Sequence, residues 1–400
     1  MLTRDMQTIT LKPGKEANVA FRHPWIFSGA LEEAPKEDAH GTVVQVADKH
    51  GKVLATGTYS ARSSIAVRAF AFGEAVIDGA WIAARLKEAD ERRRLMGYGP
   101  GTDTTGYRVV FGEADHLPGL VVDRYGDAVV FQVSTMGMDR FRTEVIAAIE
   151  DVLMPETIVE RSDLPVRIEE FLDDVVVVHK GEADEPVAFK ENGLKFLADL
   201  KGGQKTGFFL DQKDARAALA KLAEGKEALN LFSYSGAAGI TMMKGGAKSV
   251  RNMDASEEAL ELCKAHARLH KIKDDAFTTE QADIFQWLGE QKDGDLDMVV
   301  MDPPALIKSM KDAESGRKAY HFLNRAAMRL VKDGGIFATS SCSHFFSEED
   351  LAYTLRRASV QAGVTLDMIA AVRQSPDHPQ SVTFPESAYL KTFIFQVKRT

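Results

Sequence analysis

The rhythm of apolar and polar positions divides the 400-residue chain into three stretches. Up to about Phe72, short β-forming runs at residues 7–11, 42–47, 53–57 and 65–70 alternate with turn signals such as Pro13-Gly14 and Asp48 to Gly51. No long helical pattern interrupts them, which predicts a small β-rich domain over 1–72, with a barrel as one way to close it. From 73 to 185 the pattern is mixed. Residues 81–96 have helical spacing, with Ile82, Leu86 and Leu95 apolar, and 139–153 place Phe141, Val145, Ile149 and Val152 on one face. Strand-like runs stand at 107–111, 120–123, 128–133, 157–160 and 171–178, so this stretch predicts an α+β domain built on one sheet. From 186 to 400 helix and strand alternate. Strands at 228–232, 249–253, 277–281, 296–301 and 335–340 are separated by helices at 237–244, 256–270, 284–290 and 317–331. A helix at 347–362 and a strand pair at 365–370 and 392–397 close the chain. That βαβ order predicts an α/β domain, a doubly wound sheet with helices on both faces.

Composition adds bounds. Hydrophobic residues are 44% and charged residues 27%, the balance of a globular protein rather than a disordered or collagen-like chain. Apolar runs such as Val175 to Val178 fall far short of the ~18 residues a membrane helix needs, so no membrane partner is expected. The opening Met1-Leu2-Thr3-Arg4-Asp5 lacks the apolar stretch of a signal peptide. Two cysteines in 400 residues fit a reducing compartment, and the expected location is cytoplasmic. The formal net charge of −9 argues against bulk nucleic-acid binding. The charge is uneven, however: nine basic and seven acidic residues give 1–72 a net +2, leaving −11 for the rest. Phosphate contacts are therefore expected to be few and local, at the N-terminal stretch, Arg92 to Arg94, and Lys308 with Lys311.

The candidate chemistry lies at strand ends of the third stretch. Asn230-Leu231-Phe232-Ser233-Tyr234-Ser235-Gly236 leaves a strand and opens a helix, and small residues there let backbone approach a ligand. Asp254 ends the next strand, 18 positions after Gly236, where an acid accepts ribose hydroxyls. Asp283 follows the third strand and is placed to meet an adenine amino group. The full G-x-G-x-x-G fingerprint is absent, which disfavours NAD and an oxidoreductase. S-adenosylmethionine has no pyrophosphate and needs no such fingerprint. No metal site is expected. Asp302-Pro303-Pro304 ends the fourth strand, the prolines holding the acid at the crevice. Ser340-Ser341-Cys342-Ser343-His344 ends the fifth, and Cys342 among polar residues is a poor core position, whereas Cys263, mid-helix, reads as packing. A thiolate adding to carbon 6 of cytosine makes carbon 5 nucleophilic.

These residues carry a family resemblance. Over nearly its whole length the chain resembles the bacterial 23S ribosomal RNA cytosine-5 methyltransferases that use S-adenosylmethionine. The matching stretches are Arg22-His23-Pro24-Trp25-Ile26-Phe27-Ser28-Gly29, Gly112-Glu113-Ala114-Asp115-His116-Leu117-Pro118-Gly119-Leu120, Tyr125-Gly126 and Glu160-Arg161-Ser162-Asp163. Gly203-Gln204-Lys205-Thr206-Gly207-Phe208-Phe209-Leu210-Asp211-Gln212, Asp377-His378-Pro379 and Tyr389-Leu390-Lys391 extend the match. The resemblance implies a PUA-type RNA-binding domain (1–72), an α+β middle domain (73–185) and a Rossmann-like methyltransferase domain of class I (186–400). It implies S-adenosylmethionine contacts at Asn230, Phe232, Ser233, Gly236, Asp254, Ala255, Asp283, Ile284 and Asp302. It also implies a covering segment with Thr206, Phe208, Asp211 and Gln212, and catalytic roles for Cys342 and Asp302. The implied partner is ribosomal RNA, as 23S RNA or a large-subunit assembly intermediate, and a homodimer is left open. The chain departs from the family pattern where Ala305 replaces Lys, Lys213 replaces Arg, His321 replaces Lys, and Glu170-Phe171 replaces Gly-Leu. Two other readings stay open on sequence: an RNA-binding assembly factor with altered or lost turnover, and methylation of a different RNA base.

Overall fold

The computed structural model describes residues 6–400. Met1 to Asp5, on which the signal-peptide reading rests and with which the 1–72 stretch begins, lie outside the described residues. The chain forms two compact units. One runs up to Gly193 and includes Ala198–Leu210 and Pro376–Ser387; the other comprises Leu194–Leu197, Asp211–Ser375 and Ala388–Thr400.

In the first unit, β1 (Gln7–Thr10), β2 (Trp25–Phe27), β3 (Val43–Ala47), β4 (Val53–Tyr59) and β5 (Ile65–Phe72) form a sheet in the order β1-β3-β4-β5-β2. Alternation sets the inward face: Ile9, Val44, Val46, Ala55 and Val67 are buried in one core. The strand β2 escapes the sequence reading because three residues between Pro24 and Ser28 are too few to show a period. A cavity of about 460 Å³ opens beside it, lined by residues that include Lys15, Asn18, Trp25 and Phe27.

A second sheet follows in the order β10-β9-β8-β7-β6, from β6 (Gly106–Phe111), β7 (Leu120–Tyr125), β8 (Ala128–Val133), β9 (Thr157–Ser162) and β10 (Val175–Lys180). Only β8 and β9 are parallel, and the helix Arg142–Leu153 supplies the crossover that parallel neighbours need. The helix Gly79–Leu95 packs on it, capped by Asp78, whose carboxylate accepts the Trp81 N–H at 2.9 Å. Two expected elements differ. The 139–153 helix is split by Arg140-Phe141, and the 171–178 strand starts only at Val175, because Phe171 closes a 3-10 turn in the left-handed region (φ 55°).

One of the three arginines that look like a basic patch is consumed inside this unit. Arg93 is fully buried and grips Asp115 with two hydrogen bonds at 2.6 and 2.7 Å, then donates to the Asp377 carbonyl at 2.7 Å. Arg94 pairs with Asp90, and Arg92 lies 3.3 Å from Asp115. The expected phosphate contact by Arg93 is thereby corrected: it has no exposed surface to offer. Arg108 and Asp123 make a second bidentate pair at 2.7 and 2.8 Å.

The second unit carries a seven-stranded sheet. It comprises β13 (Glu227–Leu231), β14 (Ser249–Asp254), β15 (Phe277–Gln281), β16 (Leu296–Met301), β17 (Val331–Ser341), β18 (Val364–Arg373) and β19 (Lys391–Arg399). Two short strands, β11 (Val187–Glu191) and β12 (Leu194–Ala198), precede it in the chain. The order is β15-β14-β13-β16-β17-β19-β18, with β13 to β17 parallel and β19 antiparallel to both neighbours. The chain steps outward from β13 to β15, then returns and steps the other way from β16. Right-handed crossovers therefore put the helices Ala237–Lys244 and Glu257–Leu269 on one face and Ile284–Glu290, Ala313–Arg329 and Glu348–Ala362 on the other. The latter three cover a core that includes Leu231, Val299, Met301, Leu323, Phe337 and Leu355. Side chains start these helices: Ser256, Asp283 and Ser347 each accept a first-turn N–H, and Ser347 forms a capping box with Asp350. No helix of the described residues is long and apolar enough to cross a membrane.

His266, fully buried on the helix Glu257–Leu269, fastens this unit internally. Its Nδ1–H donates to the Ser235 carbonyl at 2.8 Å while Nε2 accepts the Leu197 N–H at 2.8 Å, which one neutral tautomer satisfies. Burial pushes its pKa down to about 4.

Two outcomes follow from these buried polar groups. Asp115→Asn leaves the Arg93 guanidinium buried without its counter-charge and should cost about 3–5 kcal/mol in urea unfolding. An unchanged midpoint would show that the pair contributes nothing. His266 titrates near 6.5 when unfolded and near 4 when folded. Its stabilisation is therefore complete above pH ~6.5 and is lost as pH falls toward 4. The slope approaches about 1.4 kcal/mol per pH unit. In urea titrations across that window, His266→Gln should flatten the acid limb.

Candidate functional site

Because β13 to β17 run parallel, their carboxyl ends meet one edge of the sheet, and the order reverses between β13 and β16. Registers Met253↔Leu231↔Met301↔Thr339 bring the ends of β14, β13, β16 and β17 level. Open α/β sheets bind ligands at such a reversal.

The loop leaving β13 is strongly shaped. Phe232, Tyr234 and Gly236 all lie in the left-handed region, at φ 57°, 47° and 73°. A β-carbon on Gly236 would come within 2.2 Å of the Cys263 Sγ, so glycine is required there by packing as well as by φ. Cys263 itself is buried, and burial raises its thiol to about 12. Asp254 tightens the loop: Oδ2 accepts the Tyr234 N–H at 2.8 Å and Oδ1 the Ser256 N–H at 3.0 Å. A carboxylate has about four acceptor sites, so Asp254 keeps capacity for hydroxyl groups. Among the described residues, the buried hydroxyls of Ser233 and Ser235 have no hydrogen-bond partner. Unsatisfied buried hydroxyls beside left-handed backbone fit a polar ligand at this loop.

The other sequence-predicted residues fall into three groups. Asp283, exposed after β15, accepts the Gln286 N–H at 3.1 Å through one oxygen, and its carboxylate keeps acceptor capacity for a ligand. Ala255 is exposed beside Asp254. Asn230 and Ile284 are buried supports: the Asn230 amide donates to Asn252 at 2.9 Å across β13 and β14, and Ile284 belongs to the core. Phe232 is half-buried and edges onto Phe285 at 6.2 Å. The covering segment divides between the units. Thr206 is buried in the first, donating to Asp123 at 2.6 Å, and Phe208 packs there on Phe189 at 4.9 Å. Asp211 and Gln212 belong to the second. The Asp211 carboxylate accepts the Tyr389 hydroxyl at 2.5 Å, and the Gln212 amide donates to Asp302 Oδ2 at 2.7 Å.

Asp302 stands one residue past β16, its N–H directed to the Leu231 carbonyl at 3.4 Å. Cys342, half-buried, stands one residue past β17. Ser343 links the two loops: its hydroxyl accepts the Ile307 N–H at 3.2 Å and meets the Tyr320 hydroxyl at 3.0 Å. Tyr320 also accepts from Ser341 at 2.9 Å and stacks on Phe346 at 4.7 Å.

Sequence reasoning missed Lys391 as a site residue. It is buried on β19, opposite Ser341, and donates to the carbonyls of Ser343 and Phe346 at 2.8 and 2.5 Å. It thus clamps the turn that carries Cys342. Burial lowers the Lys391 pKa, and the Cys342 sulfur opposes that by favouring the charged amine. The match at Tyr389-Leu390-Lys391 marked the stretch but could not show that β19 lies against β17. Among the described residues, no group of three or more His, Cys, Asp or Glu could hold a metal ion.

Comparison with known proteins places this architecture. A PUA-like domain model matches residues 9–72, and an S-adenosylmethionine-dependent methyltransferase model matches residues 168–396. Ribosomal RNA large subunit methyltransferase I of Shigella boydii is 33% identical over 393 residues, covering 97% of this chain and 99% of the relative. The protein of that name from Tolumonas auensis is 36% identical over 392 residues, covering 97% and 98%. A structure from Streptococcus mutans, described as an S-adenosylmethionine-dependent methyltransferase, shares the fold at TM-score 0.82, with 21% identity over 98% of this chain and 100% of that one. Another methyltransferase, solved in complex with SAH, superposes at TM-score 0.83 with 21% identity, covering the same shares. With a methyltransferase model matching more than half of the chain and relatives above 30% identity along nearly all of it, the chain belongs to the S-adenosylmethionine-dependent methyltransferases, in the family of ribosomal RNA large subunit methyltransferase I.

Proposed function

We propose that the protein transfers a methyl group from S-adenosylmethionine to carbon 5 of a cytosine in large-subunit (23S) ribosomal RNA, with Cys342 as the covalent nucleophile. The observation that carries this reading is the pair of adjacent strand ends, Asp302 after β16 and Cys342 after β17, tied together through Ser343. The relatives' names supply the substrate class. Residues 1–72 serve RNA capture, 73–185 form the middle domain and 186–400 the catalytic part.

S-adenosylmethionine, when bound, supplies an electrophilic methyl group on a sulfonium. Ser233, Gly236, Asp254 and Asp283 hold it, with Asn230 bracing the loop from beneath. An unperturbed thiol titrates near 8.5, so only a few per cent is ionised at neutral pH. Lys391 next to Cys342 favours the thiolate, and its two carbonyl contacts keep the turn in place. The Cys342 sulfur bonds to carbon 6 of the flipped base, which turns carbon 5 into the nucleophile. Asp302, held by Gln212, hydrogen-bonds the base and takes the carbon-5 proton after transfer, as the sulfur–carbon bond breaks and the thiolate returns. Lys15, Trp25 and Phe27 around the N-terminal cavity offer a cation and aromatic faces to RNA.

Cys342→Ser should bind S-adenosylmethionine as the parent does yet lose methyl transfer by about a thousandfold or more. The assay is tritiated-methyl incorporation into RNA from a strain lacking the enzyme, with nucleoside mass spectrometry of the product. Parental rates in that variant, or methyl groups on another base, would sink the covalent cytosine reading. No incorporation by the parent with intact RNA binding would favour the assembly-factor reading. Lys391→Met should raise the midpoint of the pH dependence of Cys342 alkylation, and Lys391→Arg should restore it. Cys263 is buried and does not compete in that assay. An unmoved midpoint would leave Lys391 a purely mechanical clamp.

A further inference from the structure

The turn that follows Cys342 is held at both ends. The Phe346 N–H donates to the Ser343 carbonyl at 3.3 Å, and Lys391 donates to the carbonyls of both residues. Phe346 is fully buried and stacks on Tyr320, so it anchors the turn in the core. The two corner residues, His344 and Phe345, are left outside, and Phe345 is 42% exposed. Their rings meet at 82° with 5.3 Å between centroids, so neither stacks on the other. Phe346 does the packing of this turn; the ring beside it is directed to solvent, three positions after the nucleophile.

The neighbouring loop adds charge of the right sign. The Ser343 hydroxyl accepts the Ile307 N–H, which brings the loop after β16 against this turn. That loop exposes Lys308 and Lys311. Of the acids that open the next helix, Glu348 and Asp350 are already paired, with Arg373 and Arg317. A base flipped out of its stack leaves its neighbours without a stacking partner. Unpaired RNA bases bind by laying one face on an aromatic ring, and this works for any base because every base has a π face. We propose that Phe345 is the stacking platform for the base next to the target cytosine, with Lys308 and Lys311 on the adjoining phosphates. The proposal rests on the reading of Cys342 as the nucleophile toward RNA and names how the strand around the target is held. The pinned turn fixes the ring relative to the sulfur, so the stacked neighbour sets the register of the strand at the crevice.

The test uses the full chain and 23S RNA from a strain lacking the enzyme. Phe345→Ala should raise KM for RNA about tenfold, with the loss in kcat/KM carried by KM. Its S-adenosylmethionine affinity and its melting by circular dichroism should match the parent's. Phe345→Tyr should restore KM, whereas Phe345→Leu, apolar but without a π face, should not. In Phe345→Trp the added indole should lose fluorescence on RNA binding beyond any change in the parent. A parental KM in Phe345→Ala, full rescue by Phe345→Leu, or no added quenching would each overturn the proposal. Should the parent transfer no methyl group, direct RNA affinities of the same variants still decide it. A tenfold loss in Phe345→Ala with quenching in Phe345→Trp then leaves the platform standing while the methyl-transfer reading falls; equal affinities remove the platform as well.

Discussion

The structure turns on a reversal in the order of parallel strands. β13 and β16 lie side by side, yet the chain leaves them in opposite directions, so the loops after them part and leave a crevice at the carboxyl edge. Five loops, after β13, β14, β15, β16 and β17, end at that edge because parallel strands cannot do otherwise. The left-handed loop at Phe232 to Gly236, the acids Asp254, Asp283 and Asp302, and Cys342 all stand at one edge of the sheet for this reason. They are far apart in the chain.

Such a site has to be stiff, and buried polar groups make it so. Asn230 with Asn252 fixes the strands beneath the loop; His266 holds the Ser235 carbonyl; Lys391 and Tyr320 hold the Cys342 turn from either side. Each of these groups would be costly to bury alone. Satisfied in pairs, they hold backbone carbonyls and hydroxyls in one arrangement. Ser233 and Ser235 are the contrast: buried hydroxyls with no partner among the described residues, at the point where the loop faces the crevice.

The first unit uses its charges differently. Arg93 with Asp115 and Arg108 with Asp123 spend their guanidinium groups on the interior, so a cluster of arginines in the chain is no measure of the surface charge. The net −9 and the +2 of residues 1–72 therefore still describe an acidic protein with a locally cationic end. On such a surface bulk electrostatic attraction for a polyanion is weak and confined to that end.

Much of this was legible in the chain. The helices 237–244 and 284–290 and the strands 277–281 and 296–301 fall where periodicity and turn signals set them, since βαβ units are written in local pattern. The strand-end residues Asp254, Asp302 and Cys342 were legible for the same reason. Other elements were not: β2 spans only three residues, the apolar pattern does not single out β11, β12 or the helix Lys213–Ala220, and Phe171 ends a turn through a backbone conformation that its side chain does not announce. By itself the sequence determined the order of elements and the chemistry available at their ends, because both are local. Tertiary structure alone decided that Lys391, 49 positions beyond Cys342 in the chain, clamps its turn, that Arg93 is interior, and that β10 is an edge. Those depend on which strands become neighbours, and that is settled by the burial of whole faces rather than by any one stretch of chain.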